Sequence, residues 1–217
     1  MDFDNLFSIL EKETKKFNVP VVDLIKTQTK NNYKILVSTI LSARTKDEIT
    51  AEASSGLFKK AENFLELNKL GLQEIEKLIY PVGFYKTKAK HLKQVGQIIL
   101  EKYKGKIPSE IESLLSLPGV GRKTANLYLS VALNKDAICV DTHVHRIFNR
   151  LGLIKTKKPS ETEKELMKLV PKKYWKKINF YFVAWGQNTC KPINPKCNFC
   201  KISKFCKRVG VNVNKQN

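Results

Sequence analysis

Four of the five cysteines fall within the last 28 residues, in the order Cys190-x6-Cys197-x2-Cys200-x5-Cys206. Thiols this dense are either disulfide partners or metal ligands. The N-terminus, MDFDNLF, carries two aspartates and no basic stretch ahead of an apolar run, so it does not read as a secretory signal. The expected compartment is intracellular, where disulfides are rare, and the cysteines then read as ligands. Zinc sites usually show two cysteine pairs with short internal spacing. Here a single C-x2-C is flanked by longer arms, which suits a cube of iron and sulfur with each thiolate on its own iron. Ligand chemistry favours that cluster, with zinc as the alternative. Trp175, Phe180, Trp185, Phe199 and Phe205 are expected to shield it, and Lys191, Lys196, Lys201 and Lys204 make its loops basic. Cys139 lies in an apolar run and reads as a core thiol.

A second group is Leu117-Pro118-Gly119-Val120-Gly121-Arg122-Lys123-Thr124-Ala125. The pattern predicts a short helix ending near Ser116, a tight turn, and a new helix from Arg122. Gly119 and Gly121 allow positive φ and a close approach of backbone to ligand. The amides of the turn and of the new helix start are expected to face outward together. They would form an anion site whose natural occupant is a DNA phosphate, bound without reading sequence. The Val120 side chain is expected to pack between the two helices. Lys123 falls in the first turn of the second helix, where the dipole disfavours a cation. With partial desolvation as well, its neutral amine becomes available as a nucleophile. A lysine that is exposed or only contacts DNA is the plainer alternative.

The third group is Val140-Asp141-Thr142-His143-Val144-His145-Arg146. Asp141 reads as the N-cap of a helix, ionised and anchored by backbone amides. Such a carboxylate can take a proton from an amine or balance positive charge developing on a sugar. A purely structural cap is the alternative. His143 and His145 are two apart and do not share a helix face, which argues against a two-histidine metal site.

Helices are expected to position all three groups. Apolar residues recur with helical period at Leu6, Ile9 and Leu10, at Ile35, Leu36, Thr39 and Ile40, and at Leu92, Val95, Ile98 and Ile99. Alternating strand patterns are missing, and about ten helices of ordinary length are expected. Pro20, Pro81 with Gly83, and Gly105 with Pro108 mark breaks; Asn31-Asn32 and Asp47 offer caps. Ser109 with Glu112, and Ser160 with Glu163, read as capping boxes. The stretch from Val209 to Asn217 lacks a pattern and is expected to fray.

The chain of 217 residues and 24.9 kDa suits one large domain or two small ones. Its 42% hydrophobic content argues against extensive disorder. No apolar run reaches the roughly 18 residues of a membrane helix. The formal charge is +20, and it is lopsided: residues 1–116 hold 19 basic and 15 acidic side chains, residues 117–217 hold 21 and 5. That asymmetry points to a polyanion, nucleic acid before membrane. Lysine outnumbers arginine 35 to 5, so a generally lysine-rich composition is the alternative source of the charge.

In this order, LPGVGRKTA, VDTHVHR and the C-x6-C-x2-C-x5-C run resemble the endonuclease III family, bifunctional members of the helix-hairpin-helix glycosylase superfamily. The similarity runs from about Asn31 to Cys206. It implies an all-α fold of two helical domains flanking a DNA-binding cleft. A six-helix domain over 25–135 would carry the helix-hairpin-helix, and residues 1–24 with 136–217 would carry a [4Fe–4S] cluster. It implies that Lys123 and Asp141 are catalytic and that Cys190, Cys197, Cys200 and Cys206 are the cluster ligands. Gly119, Val120, Gly121, His143, Lys191 and Lys196 are placed toward DNA. Arg44 stands where bacterial members carry glutamine and Phe84 where they carry a leucine wedge. These departures bear on opposite-base preference and lesion range rather than on the chemistry. The implied activity is excision of oxidised pyrimidines, followed by strand cleavage at the abasic site through a lysine Schiff base. The implied partner is double-stranded DNA with a damaged base or abasic site. The protein is expected to be a monomer, cytoplasmic and nucleoid-associated, with no membrane. Rival readings are a monofunctional mismatch glycosylase, which would lack Lys123 and, for adenine enzymes, would continue past the cluster, and a non-catalytic metal-loop DNA-binding module. A redox iron–sulfur protein would leave the charge and the hairpin unexplained.

Overall fold

A computed structural model describes residues 1–17 and 21–211, so the expectations for Pro20 and for most of the C-terminal tail lie outside the described residues. Twelve α-helices and three short 3-10 turns occur among them, with no strand. The fold is all-α, as expected, with twelve helices rather than about ten. None is long and apolar enough to cross a membrane among the described residues. Backbone contacts divide the chain into two compact units, Val21–Lys135, and Met1–Pro20 with Asp136–Asn217.

The first unit holds α2 (Val21–Thr29), α3 (Asn32–Ser42), α4 (Asp47–Lys60), α5 (Phe64–Lys69), α6 (Leu72–Ile79), α7 (Tyr85–Glu101), α8 (Ile111–Leu115) and α9 (Arg122–Val131). That is eight helices from residue 21, against six from residue 25; α5 and α8 are only six and five residues long. Helix α3 is apolar almost all round, with Tyr33 and every residue from Ile35 to Leu41 buried. Such a helix must sit at the centre of its unit, and α2, α4, α7 and α9 pack on it. Asn31 caps it, its Oδ1 accepting from the Tyr33 and Lys34 amides at 2.9 and 3.3 Å.

Other helix starts differ from the sequence reading. Lys46, not Asp47, is the N-cap of α4; Asp47 is the first helical residue, where its charge favours the helix dipole. Helix α8 starts after Glu110 with no side-chain cap, and the Ser109 hydroxyl instead bonds the Glu110 carboxylate at 3.2 Å.

The second unit holds α1 (Phe3–Thr14), α10 (Thr142–Leu151), α11 (Pro159–Leu169) and α12 (Trp175–Asn188). Helix α11 begins at Pro159, whose fixed φ favours the first helical position. Glu161 rather than Glu163 reaches back, accepting from the Lys157 and Lys158 amides at 2.9 and 3.2 Å. Leu6, Leu10, Ile147, Phe148, Ile178 and Phe182 form the middle of the core, each contributing roughly 2 kcal/mol by burial. The Phe148 and Phe182 rings meet at 4.5 Å, joining α10 to α12. These two helices carry Asp141 at one end and Cys190 at the other.

Candidate functional site

In the Val21–Lys135 unit the expected hairpin forms. Gly119 has φ +76 and closes the turn between α8 and α9. The Leu117 and Val120 side chains are buried. The Val120 amide is not turned outward, however: it donates to the Leu117 carbonyl at 3.1 Å. The anion-binding expectation therefore passes to Gly119, Gly121 and the start of α9, which no side chain caps. A Cβ on Gly119 would lie 2.6 Å from Nδ1 of His91. His91, on α7, thus supports the hairpin from behind, a contact invisible in the sequence. Lys123 is the second residue of α9 and its side chain is exposed.

The same unit brings Arg44 and Phe84 together from 40 residues apart. Both are exposed and both have left-handed backbones, φ 54 and φ 58. The Arg44 guanidinium lies 5.6 Å from the centre of the Phe84 ring. Behind them is Lys88, almost wholly buried, donating to the Leu41 and Ala43 carbonyls at 2.7 and 2.5 Å and to Thr45 Oγ1 at 3.1 Å. Burial lowers its pKa to about 8. Sequence reading missed Lys88. Its signal is position: it falls on the apolar stripe of α7 with Leu92, Val95 and Ile99.

In the other unit Asp141 caps α10, with Oδ1 accepting from the His143 and Val144 amides, both at 2.9 Å. Both cap bonds use one oxygen, which leaves Oδ2 outside the cap. The histidines are more structural than expected. The His143 ring lies against Gly186 of α12, and its Nδ1 pairs with Arg146 at 3.0 Å, so that edge is committed to the fold. His145 Nδ1 is bonded to Thr162 Oγ1 at 2.7 Å, tying α10 to α11.

Cys190, Cys197, Cys200 and Cys206 all line one small cavity. Arg146 and Arg150, one turn apart on α10, hold the entrance strand of that loop. Arg146 donates to the Cys190 carbonyl at 2.8 Å and the Gly186 carbonyl at 3.2 Å. Arg150 donates to the Lys191 and Pro192 carbonyls, both at 2.7 Å, and to the Cys190 sulfur at 3.4 Å. The sequence signal for this pair was present: two of only five arginines stand four apart on one helix. Their forked donors serve carbonyls in a way lysine does not. Burial pushes the Cys200 and Cys206 thiols up, so a metal must draw the protons off as it binds. Among the described residues no three acids, histidines or cysteines converge closely enough to hold one metal ion. Of the expected shielding aromatics only Trp185 lines the cavity. Its buried indole N–H faces the Cys200 sulfur. Phe199 is 82% exposed and shields nothing. Lys191 and Lys196 are exposed on the same loop, and Cys139 is a buried core thiol.

Residues 37–172 match the model of the HhH-GPD superfamily of base excision DNA repair proteins, and the chain belongs to that superfamily. The chain is 47% identical over 174 residues to endonuclease III of Thermotoga maritima, the match covering 80% of this chain and 82% of that one. A non-covalent endonuclease III–DNA complex superposes with a TM-score of 0.83 at 30% identity, covering 96% of each chain. A trapped endonuclease III–DNA covalent intermediate gives 0.78 at 32% identity, covering 87% of this chain and 93% of that one. The chain spans about half the length of the chloroplastic endonuclease III homologues of Arabidopsis thaliana, 49% and 47%. These similarities place it, within the superfamily, in the endonuclease III family of DNA glycosylases.

Proposed function

We propose that this glycosylase removes oxidised pyrimidines from duplex DNA and then cuts the strand by β-elimination through a Schiff base on Lys123. The observation that carries the reading is the position of Lys123, an exposed residue at the second position of α9, directly after the Gly119–Gly121 hairpin. The trapped covalent complex of a 32%-identical relative supports the same chemistry. The damaged nucleotide is first everted, because its C1′ is unreachable in the stack. Lys123 Nζ attacks C1′, the C1′–N bond breaks and the base leaves. Asp141 is assigned as the acceptor of the amine's proton. The sugar ring opens to an imine, a proton leaves C2′, and the bond from C3′ to its phosphate oxygen breaks.

Gly119, Gly121 and the start of α9 would hold a phosphate, with Val120 as their anchor. Arg44 and Phe84 would fill the space left by eversion, and Lys191 and Lys196 would contact the backbone. His143 would lie beside the backbone. The unit Val21–Lys135 is then the hairpin-bearing domain and the remainder the cluster-bearing domain. The protein would act as a monomer in the nucleoid.

The four cysteines fit a [4Fe–4S] cluster. Zinc at about 2.3 Å from each sulfur would gather the sulfurs within about 4 Å of one another. A cube binds each thiolate at its own iron, so the single C-x2-C with longer arms on both sides suits it better. The Trp185 indole lines the same cavity beside the Cys200 sulfur. Bound there, the cluster would tie residues 190–206 together against Ile147 and Leu151 of α10 and Trp185 of α12. The purified protein should be yellow-brown, with absorbance near roughly 400 nm; a colourless zinc-loaded protein would overturn this assignment.

The deciding experiment is borohydride trapping on a duplex with one abasic site or thymine glycol. An adduct that disappears in Lys123→Ala supports the reading. Base release without an adduct would make this a monofunctional glycosylase, and binding with neither would make it a DNA-binding module.

A further inference from the structure

Two exposed side chains on different loops, Arg44 and Phe84, are held in contact, each with a left-handed backbone that a non-glycine residue adopts only under constraint. The constraint is visible. The loops touch through their backbones at Gly83, where a Cβ would stand 2.6 Å from the Arg44 carbonyl oxygen. The Gly83 amide donates to Thr45 Oγ1 at 3.2 Å. The Lys88 ammonium donates to that same oxygen at 3.1 Å, and its other bonds go to the Leu41 and Ala43 carbonyls on either side of the α3 terminus. One buried cation thus spends two of its donors on the residues immediately before and after Arg44 and one on Leu41, from a helix whose N-cap is Phe84.

We propose that Lys88 is the positioning residue of a single composite wedge, Arg44 stacked on Phe84, and that it presets this wedge for insertion where a nucleotide has been everted. The proposal rests on the gap-filling reading of Arg44 and Phe84. Its physical content is preorganisation. Two loop tips that had to be ordered on binding would each lose conformational freedom at that moment. With Lys88 in place the ordering is already present in the free protein. The cationic partner also means that the wedge presents a charged fork, not only an apolar ring, to the base left without a partner.

The test uses the whole protein and a duplex with a tetrahydrofuran abasic analogue opposite 2-aminopurine, whose fluorescence rises when it is unstacked. Lys88→Met is expected to bind this duplex about tenfold more weakly than wild type, with a smaller fluorescence rise, and to bind undamaged duplex normally. Lys88→Arg should restore part of the signal. In an Arg44→Ala/Phe84→Ala background, adding Lys88→Met should change nothing further. An equal loss on undamaged duplex, or a full additional loss in that background, would show that Lys88 supports the fold rather than the wedge. Wild-type behaviour of Lys88→Met would also overturn the proposal. If the Arg44→Ala/Phe84→Ala variant itself matches wild type, the gap-filling reading fails and takes the proposal with it. Should Lys88→Met not fold, Thr45→Val decides: it removes the shared acceptor and should show the same selective loss, and its wild-type behaviour would reject the proposal.

Discussion

Asp141 combines a cap and a charge, and substitution can separate them. Asparagine caps helices about as well as aspartate and would keep the bonds to the His143 and Val144 amides. Asp141→Asn should therefore melt close to wild type yet lose roughly 100-fold in base excision, the scale of a lost general base. Asp141→Ala should lose activity and also about 1 kcal/mol of stability. Equal activity in Asp141→Asn and wild type would reduce Asp141 to its structural role. Lys88 offers a second test. Burial lowers its folded pKa from 10.5 to about 8. Below about 8 both folded and unfolded chains hold the proton, and stability does not change through this group. Between about 8 and 10.5 the unfolded chain binds more protons, so stability rises with pH. Urea melts of wild type and Lys88→Met across that window should diverge in the wild type's favour as pH increases. A constant difference would show that Lys88 does not titrate there.

The helices differ in how openly they announce themselves. The Asn31 and Asp141 caps were legible because each bond spans two or three residues. The boxes read at Ser109 and Ser160 were not formed, because the same local code had competing solutions: Glu110 engages Ser109, and Pro159 starts α11 before Ser160. The hairpin was legible as a turn, but its buttress was not. Gly119→Ala would place a methyl on a left-handed backbone, worth roughly 1–2 kcal/mol, and against His91 at 2.6 Å. Because phosphate contacts carry no sequence information, this change should weaken binding to damaged and undamaged duplexes alike. A loss confined to damaged duplex, measured by fluorescence anisotropy, would place the hairpin in lesion recognition instead.

The formal charge of +20 sets how the protein meets DNA at long range. If it neutralises about six to ten phosphates, log K against log salt should fall with a slope of roughly −5 to −9. A shallow slope on undamaged duplex between low and moderate salt would count against the basic footprint. Of its 20 acids only five lie beyond residue 116, so the charge is carried largely by residues on the α9, α10 and cysteine-loop side of the sequence. Lysine-rich background cannot account for that gradient, since lysines are common in both halves.

What the sequence by itself determined were the features written in short spacings: the helical period, the two-glycine hairpin with Lys123 behind it, the Asp141 cap, the four-cysteine run and the uneven charge. Each depends on neighbours within a turn or two of chain, or on composition alone. Tertiary structure decided which side chains serve as supports. Lys88 finds its acceptors more than 40 residues back, Arg146 and Arg150 find theirs about 40 residues ahead, and His91 meets a glycine 28 residues away. It also committed one edge of His143 to Gly186 and Arg146, and turned the Val120 amide inward. A buried cation or a packed ring is specified by the far wall of its pocket, and that wall exists only once the chain has folded.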